Sequence, residues 1–377
     1  MTVALPQRHR LMVVGGGTGG HVFPGVAVAE AWLRLVEDAE VVFVGSPTGF
    51  EARVIPPMGH PFIAVEARRL KNAGIVERLK SLFRMPAVIW AGVKLLKREQ
   101  PCVVFGVGGY VSGPVVLAAA LTGRPSAVAE QNARPGLTNR LLSYAVRRIY
   151  TAFPEAMNHF PKRKVRELGN PVRDAILDCE QVSDDQGPRI LILGGSQGAR
   201  SLNELLPPAV ARLKSDYPGL RVTHQTGRDR DEGVRASYDE LGVDDVVVSP
   251  FIDDMAGAFA TTDFVIARSG ATTVAELACV GCPALFIPFP HAADDHQTAN
   301  ADSLVSAGAA LMVQERDLSV DGLVELVTPL LRDPERLDDM GRRALERGRP
   351  EAADDIVTDL LGMAGLSDAL RATGEAA

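Results

Sequence analysis

Leu11-Met12-Val13-Val14-Gly15-Gly16-Gly17-Thr18-Gly19-Gly20-His21 reads as a short buried strand that runs into a glycine turn, and residues 26–35 behind it carry a helical pattern. The same grammar returns at 190–193, where Gly194-Gly195-Ser196-Gln197-Gly198-Ala199 leads into a helical stretch from about Leu202 to Leu213. A chain that restarts in this way carries one plan twice. Between the two starts, apolar β-rich segments at 41–44, 62–65, 103–105, 126–129 and 149–152 alternate with helical ones. The second half repeats the order at 221–225, 245–249, 264–267, 284–288 and 310–313. Strands that alternate with helices build parallel sheets covered on both faces. The expected fold is therefore α/β, with two Rossmann-like domains facing across a cleft.

The first domain is expected over 9–168 and the second over 169–350, with the chain passing between them somewhere in 165–188. A helix at about 351–366 has nothing of its own to pack on and is expected to cross back to the first domain, ahead of a loose tail.

Bulk properties narrow the function. With 377 residues, 46% of them hydrophobic, the chain can fill two cores. A formal charge of −7 argues against a general nucleic-acid binder, which needs surplus Lys and Arg to replace phosphate counterions. Four cysteines do not make a secreted disulfide framework, and residues 1–10 hold no apolar stretch of signal-peptide length, so a cytoplasmic protein is expected. The longest clean apolar runs, such as 115–121, fall far short of the roughly 20 residues of a membrane-spanning helix. Cys279 and Cys282 have redox spacing, but inside the apolar run 277–286 they read as small packed side chains.

Gly15-x-Gly17-x-x-Gly20 formally fits the dinucleotide fingerprint, in which amides at a helix start receive a pyrophosphate. An NAD site would also place an acid at the end of the second strand to hold a ribose, yet that strand runs into Gly45-Ser46-Pro47. Close packing of strand on helix is the lesser alternative for either turn taken alone. Two turns in register point further, to a nucleotide-sugar on one domain and an acceptor on the other.

Six ordered blocks resemble those of the MurG family, inverting glycosyltransferases of the GT-B fold: GGGTGGHVFP at 15–24, GVGGYVSGP at 106–114, EQNARPGLTN at 130–139, GNPVR at 169–173, GGSQGAR at 194–200 and RSGATTVAEL at 268–277. Together they span Leu11 to about Gly308. This chain has Ala129 where family members usually carry His before the Glu-Gln-Asn triplet, and Arg134-Pro135 in a loop that seldom has that pair.

The resemblance implies transfer of N-acetylglucosamine from UDP-N-acetylglucosamine (UDP-GlcNAc) to the C4 hydroxyl of the muramyl sugar of lipid I, giving lipid II, with no cofactor and no metal. Asp294, Asp295 and His296 are the one group that could otherwise be read as metal ligands. Donor contacts carried over by position are Ser196, Ile252, Ala271, Thr272, Thr273, Val274, Ala275, Glu276 and Gln297. In that scheme Ser196 and the amides near Gly270 face the diphosphate and sugar. Glu276 takes the ribose hydroxyls, the Ile252 backbone meets uracil and Gln297 holds sugar hydroxyls. The first domain contributes Thr18, Gly19, Gly20 and His21, with Asn132 and Arg173 closing over the donor. Inversion needs the acceptor hydroxyl to lose its proton as it attacks C1. His21 is the best-placed titratable group, as base or as phosphate donor, and Glu130 is the rival base.

Residues 68–98 carry nine Lys or Arg and one acid, Glu77, interleaved with Leu79, Leu82, Phe83, Val88 and Trp90. That pattern fits a surface pressed into anionic lipid, at the cytoplasmic face of the bacterial plasma membrane, ahead of the alternative of a solvated basic helix over a core. The resemblance leaves room for cell-wall synthesis or division proteins as partners. Three rivals stay open: a diacylglycerol glycosyltransferase, a sugar-nucleotide epimerase of the same twin fold, and a non-catalytic nucleotide-sugar sensor.

Overall fold

The computed structural model describes residues 8–65, 75–182, 186–195 and 198–371, with the backbone alone over 75–85. The chain divides into two compact units, Met1–Arg173 with Pro350–Ala377, and Asp174–Arg349.

The first unit holds β1 (His9–Gly15), β2 (Ala39–Gly45), β3 (Phe62–Ala64), β4 (Val103–Gly108), β5 (Ser126–Glu130), β6 (Arg148–Thr151) and β7 (Val165–Glu167), in the order β3-β2-β1-β4-β5-β6-β7. Every pairing is parallel. β1 shows why: Leu11 and Val13 enter one core with the helix Gly19–Leu35, while Met12 and Val14 enter a second core on the other face. A strand buried on both faces has no polar side to give to water, which leaves helices to cover both. β7 lies inside the stretch read from sequence as interdomain crossover. Its three residues include Arg166 and Glu167, so no apolar run marks it.

The helix behind the first turn starts at Gly19, seven residues before the helical pattern in the sequence. Glycine is a poor helix former, so the pattern in the sequence starts late; a Cβ at Gly19 would come 3.1 Å from the ring of Phe23, one turn along the same helix. The helix Ala352–Ala364 packs on Gly19–Leu35 in the first unit and buries Ile356, Val357, Leu360 and Leu361. Each of those side chains contributes about 1.5–3 kcal/mol when fully buried. Asp359 accepts hydrogen bonds from Tyr150 Oη at 2.8 Å and Arg148 Nε at 3.0 Å, and Asp354 pairs with Arg34 at 2.7 Å.

The second unit holds β8 (Arg189–Leu193), β9 (Arg221–Gln225), β10 (Val246–Ser249), β11 (Phe264–Ala267), β12 (Ala284–Phe286) and β13 (Ala310–Met312), again all parallel, in the order β10-β9-β8-β11-β12-β13. In both sheets the order reverses beside the first strand of the unit, between β1 and β4 and between β8 and β11. Ligands of open α/β sheets bind at the carboxyl edge of such switch points. Both glycine turns stand there.

Candidate active site

In the first unit β1 ends on Gly15, and its neighbour Gly16 donates its amide to the Gly108 carbonyl at 3.2 Å. Gly108 and Gly109 have φ of +99° and +85°, which favours glycine, and a side chain at Gly108 would strike the His21 ring, 2.8 Å from Cδ2. The imidazole thus lies against the β4 turn. Its Nδ1 is 3.5 Å from Thr18 Oγ1, and the ring is half-buried. Thr18 and Gly19 are half-buried beside it and Gly20 is exposed. The Arg173 guanidinium stacks 4.0 Å over the Phe23 ring, two residues along the same helix, which makes Arg173 a neighbour of the His21 turn.

Glu130 ends β5 and is 3% exposed. Its Oε1 accepts from Asn132 N at 3.1 Å and Asn132 Nδ2 at 3.4 Å, and its Oε2 from Gly136 N at 3.1 Å and Asn139 Nδ2 at 2.9 Å. Burial pushes its carboxyl above the ordinary range, against those four bonds. With both oxygens engaged on loop 131–136, Glu130 fixes the loop that carries Asn132.

The first turn also contains an acid that sequence reasoning missed. Glu51 reaches in from the helix that follows β2, its Oε2 accepting from Gly17 N at 2.7 Å and its Oε1 from Ser46 N at 2.8 Å. The fingerprint's acid is therefore present, six residues later than an NAD site needs it, and it takes an amide that a pyrophosphate would use. Nothing in the sequence flags it, because its partners lie 34 and 5 positions away in loops.

In the second unit, Gly195 and Gly198 turn the chain with φ of +74° and +72°. A side chain at Gly198 would run into the Thr226 carbonyl and come 2.8 Å from Arg230 Cδ. Ser196 lies outside the described residues. Beside this turn, Gly270 caps the helix Ala271–Val280 in extended conformation. Ala271, Thr272, Val274 and Glu276 are buried along it, while Thr273 and Ala275 are half-buried. Asn300 Nδ2 donates to Ser269 O at 3.2 Å and holds the turn from behind.

Arg268, at the end of β11, ties the edge together. Its Nη1 donates to the carbonyls of Ile287 (2.9 Å) and Pro288 (3.1 Å), and its Nη2 to Ser201 Oγ (2.9 Å) and the Glu315 carboxylate. Ile252 sits half-buried in the loop after β10, and Gln297, half-buried, accepts from Phe289 N at 2.9 Å through Oε1. The donor residues carried over by position thus collect on one edge of one sheet, apart from the undescribed Ser196.

Asp294 and Asp295, both in the left-handed region, form the entry to the helix His296–Val305, where Asp295 Oδ1 accepts from Thr298 Oγ1 at 2.7 Å. Among the described residues no group of three or more His, Cys, Asp or Glu could hold a metal ion. A hollow of about 420 Å³ bordered by Arg10, Glu40, His60 and Glu99 lies at the opposite, amino edge of the first sheet, away from all of these residues.

The glycosyltransferase family 28 N-terminal domain matches residues 11–151 and the C-terminal domain of the same family matches 189–356. The chain is 45% identical over 357 residues to the UDP-N-acetylglucosamine--N-acetylmuramyl-(pentapeptide) pyrophosphoryl-undecaprenol N-acetylglucosamine transferase of Myxococcus xanthus, covering 93% of each. The enzyme of that name from Anaeromyxobacter dehalogenans is 47% identical over 350 residues, covering 92% of this chain and 91% of the relative. A crystal structure of MurG from Acinetobacter baumannii superposes with a TM-score of 0.74 at 34% identity, over 94% of this chain and 99% of that one.

The chain belongs to the MurG family.

It is a hexosyltransferase of the GT-B fold. A UDP-GlcNAc 2-epimerase from Neisseria meningitidis, with a TM-score of 0.67 at 16% identity over 94% of this chain and 100% of that one, shares the fold alone. The epimerase expectation thus keeps the architecture and loses the sequence.

Proposed function

We propose that this MurG-family chain transfers N-acetylglucosamine from UDP-GlcNAc to the C4 hydroxyl of the N-acetylmuramyl unit of undecaprenyl-pyrophosphoryl-MurNAc-pentapeptide. The observation that carries the reading is the identity of 45% and 47% to transferases of that name along more than nine-tenths of the chain. The acceptor oxygen bonds to C1 of the sugar as the C1–O bond to the diphosphate breaks, the hydroxyl proton goes to a protein base, and UDP leaves with the bonding pair. The products are the disaccharide lipid and UDP.

The second unit holds the donor. Amides at the start of the helix Ala271–Val280 face a dianionic leaving group with neutral donors and a positive helix end. Glu276, buried in the first turns of that helix, takes the ribose hydroxyls. Gln297 and Ile252 serve the sugar and the uracil. In the first unit His21 is the base. Its rival Glu130 has both oxygens bound up with loop 131–136, whereas the His21 ring stands half-buried at a switch point.

The first unit also meets the membrane that keeps the acceptor. No described helix is long and apolar enough to cross a bilayer. The helices Ile75–Glu99, Ser112–Leu121 and Leu137–Leu142 pack side by side, and Trp90, Leu137, Leu141 and Tyr144 are 61–78% exposed on them or just after them. Lys94 Nζ lies 3.5 Å over the Trp90 ring. Apolar groups among cations suit an anionic lipid surface, here the cytoplasmic face of the plasma membrane. Of the nine cations in 68–98, the side chains up to Arg84 lie outside the described residues.

The deciding experiment measures UDP release from UDP-GlcNAc with and without a short-chain lipid I analogue. Release that depends on the analogue supports the reading. Release without it, or donor binding with no turnover, sinks it in favour of an epimerase-like or sensing protein. For the membrane, neutralising Arg78, Lys80 and Arg84 together lowers binding to vesicles containing phosphatidylglycerol at low salt, and unchanged binding removes that surface.

A further inference from the structure

Glu51 stands in none of the motif blocks, yet three separate segments are shaped around its carboxylate. Gly16 follows the first strand, Gly45 ends the second and Gly49 lies in the loop beyond it; a Cβ at any of the three would fall inside the van der Waals envelope of the Glu51 side chain. The group is 3% exposed, and each oxygen takes one backbone amide, Gly17 N at 2.7 Å and Ser46 N at 2.8 Å. Charge-assisted bonds of this length are the stronger kind.

The helix that begins beside it needs such an anion. Gly19–Leu35 has no acid in its first turn, and its N-cap Thr18 makes no side-chain capping bond. A helix N-terminus favours negative charge nearby, and the carboxylate on Gly17 N supplies it from another segment. Gly109 in turn leaves no room for a side chain against Gly16, and Gly108 lies against His21, so the peptide that Glu51 holds is the floor on which the β4 turn and the imidazole rest.

We infer that Glu51 is a positioning residue of the acceptor step: its carboxylate is the built-in anion of the first glycine turn, fixing Gly16 and Gly17 so that His21 is held at the angle needed to take the acceptor proton. This rests on the reading of His21 as that base. It adds a consequence of its own, that the Gly17 amide is withheld from any phosphate and the turn is preformed before substrate arrives.

Glu51→Gln keeps the shape and sets an NH2 group against one of the two amide donors. The test compares transfer kinetics, with UDP-GlcNAc and a short-chain lipid I analogue, to UDP-GlcNAc affinity by calorimetry on the full chain. The expected result is a kcat lower by about ten- to a hundredfold with donor affinity within about twofold of the parent. A parent-like kcat overturns the assignment, and so does a loss of donor affinity in step with kcat, which marks a general structural fault. A parent chain that itself transfers nothing to the analogue overturns the underlying reading instead. If Glu51→Gln does not fold, Gly49→Ala decides, because Gly49 is not in the left-handed region and its new methyl meets the carboxylate first. Lost kcat with donor affinity kept supports the role, and unchanged kcat ends it.

Discussion

The two glycine turns follow one backbone plan and are finished in opposite ways. At the first, the protein's own carboxylate occupies the Gly17 amide. At the second, among the described residues no carboxylate takes an amide of Gly194, Gly195 or Gly198, and the nearest side chain to Gly198 is that of Arg230. The amides of Gly194 and Gly198 go instead to the carbonyls of Gln225 and Gly195, at 3.0 Å each, so the second turn is closed by its own backbone and has a cation, not an acid, beside it. The difference matches the proposed division, with support of His21 at the first turn and the donor at the second, although the sequence writes both with the same glycines.

The largest effect that tests this contrast belongs to His21→Ala, for which kcat falls by about 10²–10⁴ while the affinity for UDP-GlcNAc stays within about twofold. Donor affinity that falls with kcat would erase the division of labour. Glu276→Ala does the reverse, with UDP-GlcNAc affinity down by about 2 kcal/mol in calorimetry and kcat at saturating donor much less affected. A Glu276→Ala chain with parent-like donor affinity would take that acid out of the site.

Smaller effects concern stability. Gly198→Ala combines a φ of +72° with a collision at the Thr226 carbonyl and should lower the unfolding free energy by about 1–3 kcal/mol. Gly17→Ala, at φ +101° with nothing within 4 Å, should cost less in the same urea titration. Equal losses would mean that strain alone, and not packing, sets the requirement for glycine.

His224 sharpens the account of the second turn from behind. Its Nδ1 is 3.0 Å from Tyr238 Oη and its Nε2 3.2 Å from Asn203 Oδ1, and Asn203 Nδ2 donates to the Thr226 carbonyl at 2.9 Å. Burial lowers its pKa from 6.5 to about 4. The unfolded imidazole therefore binds a proton before the folded one does, and the stability it contributes is complete above about pH 6.5 and lost as pH falls towards 4. At about pH 5 the loss is about 2 kcal/mol. A His224→Gln chain should show a smaller drop in its urea midpoint between about pH 7 and about pH 5, and an unchanged drop would locate the acid sensitivity elsewhere.

The strands were legible because burial on both faces writes continuous apolar runs, as in 11–14 and 190–193. β7 escaped because two of its three residues are charged. The turn and helix at 268–277 were legible for a related reason: a turn and the helix it opens are contiguous in the chain. Glu51 and Gly17 are 34 positions apart, and Arg268 and Glu315 are 47 apart, so neither pair leaves a local pattern. Glu130 stands out in its motif, but the engagement of both its oxygens could not be read there, since its four hydrogen bonds depend on a loop path that spacing does not reveal.

The helix Ala352–Ala364 gives the molecule a particular order of birth. On the ribosome the first unit emerges first but lacks Ile356, Val357, Leu360 and Leu361, which belong to its core and are translated only after the second unit is finished. The donor half, contiguous in the chain, can close its core while the half that carries His21 still waits with an uncovered apolar face. A nascent or prematurely terminated chain would then show its stickiest surface on that earlier half.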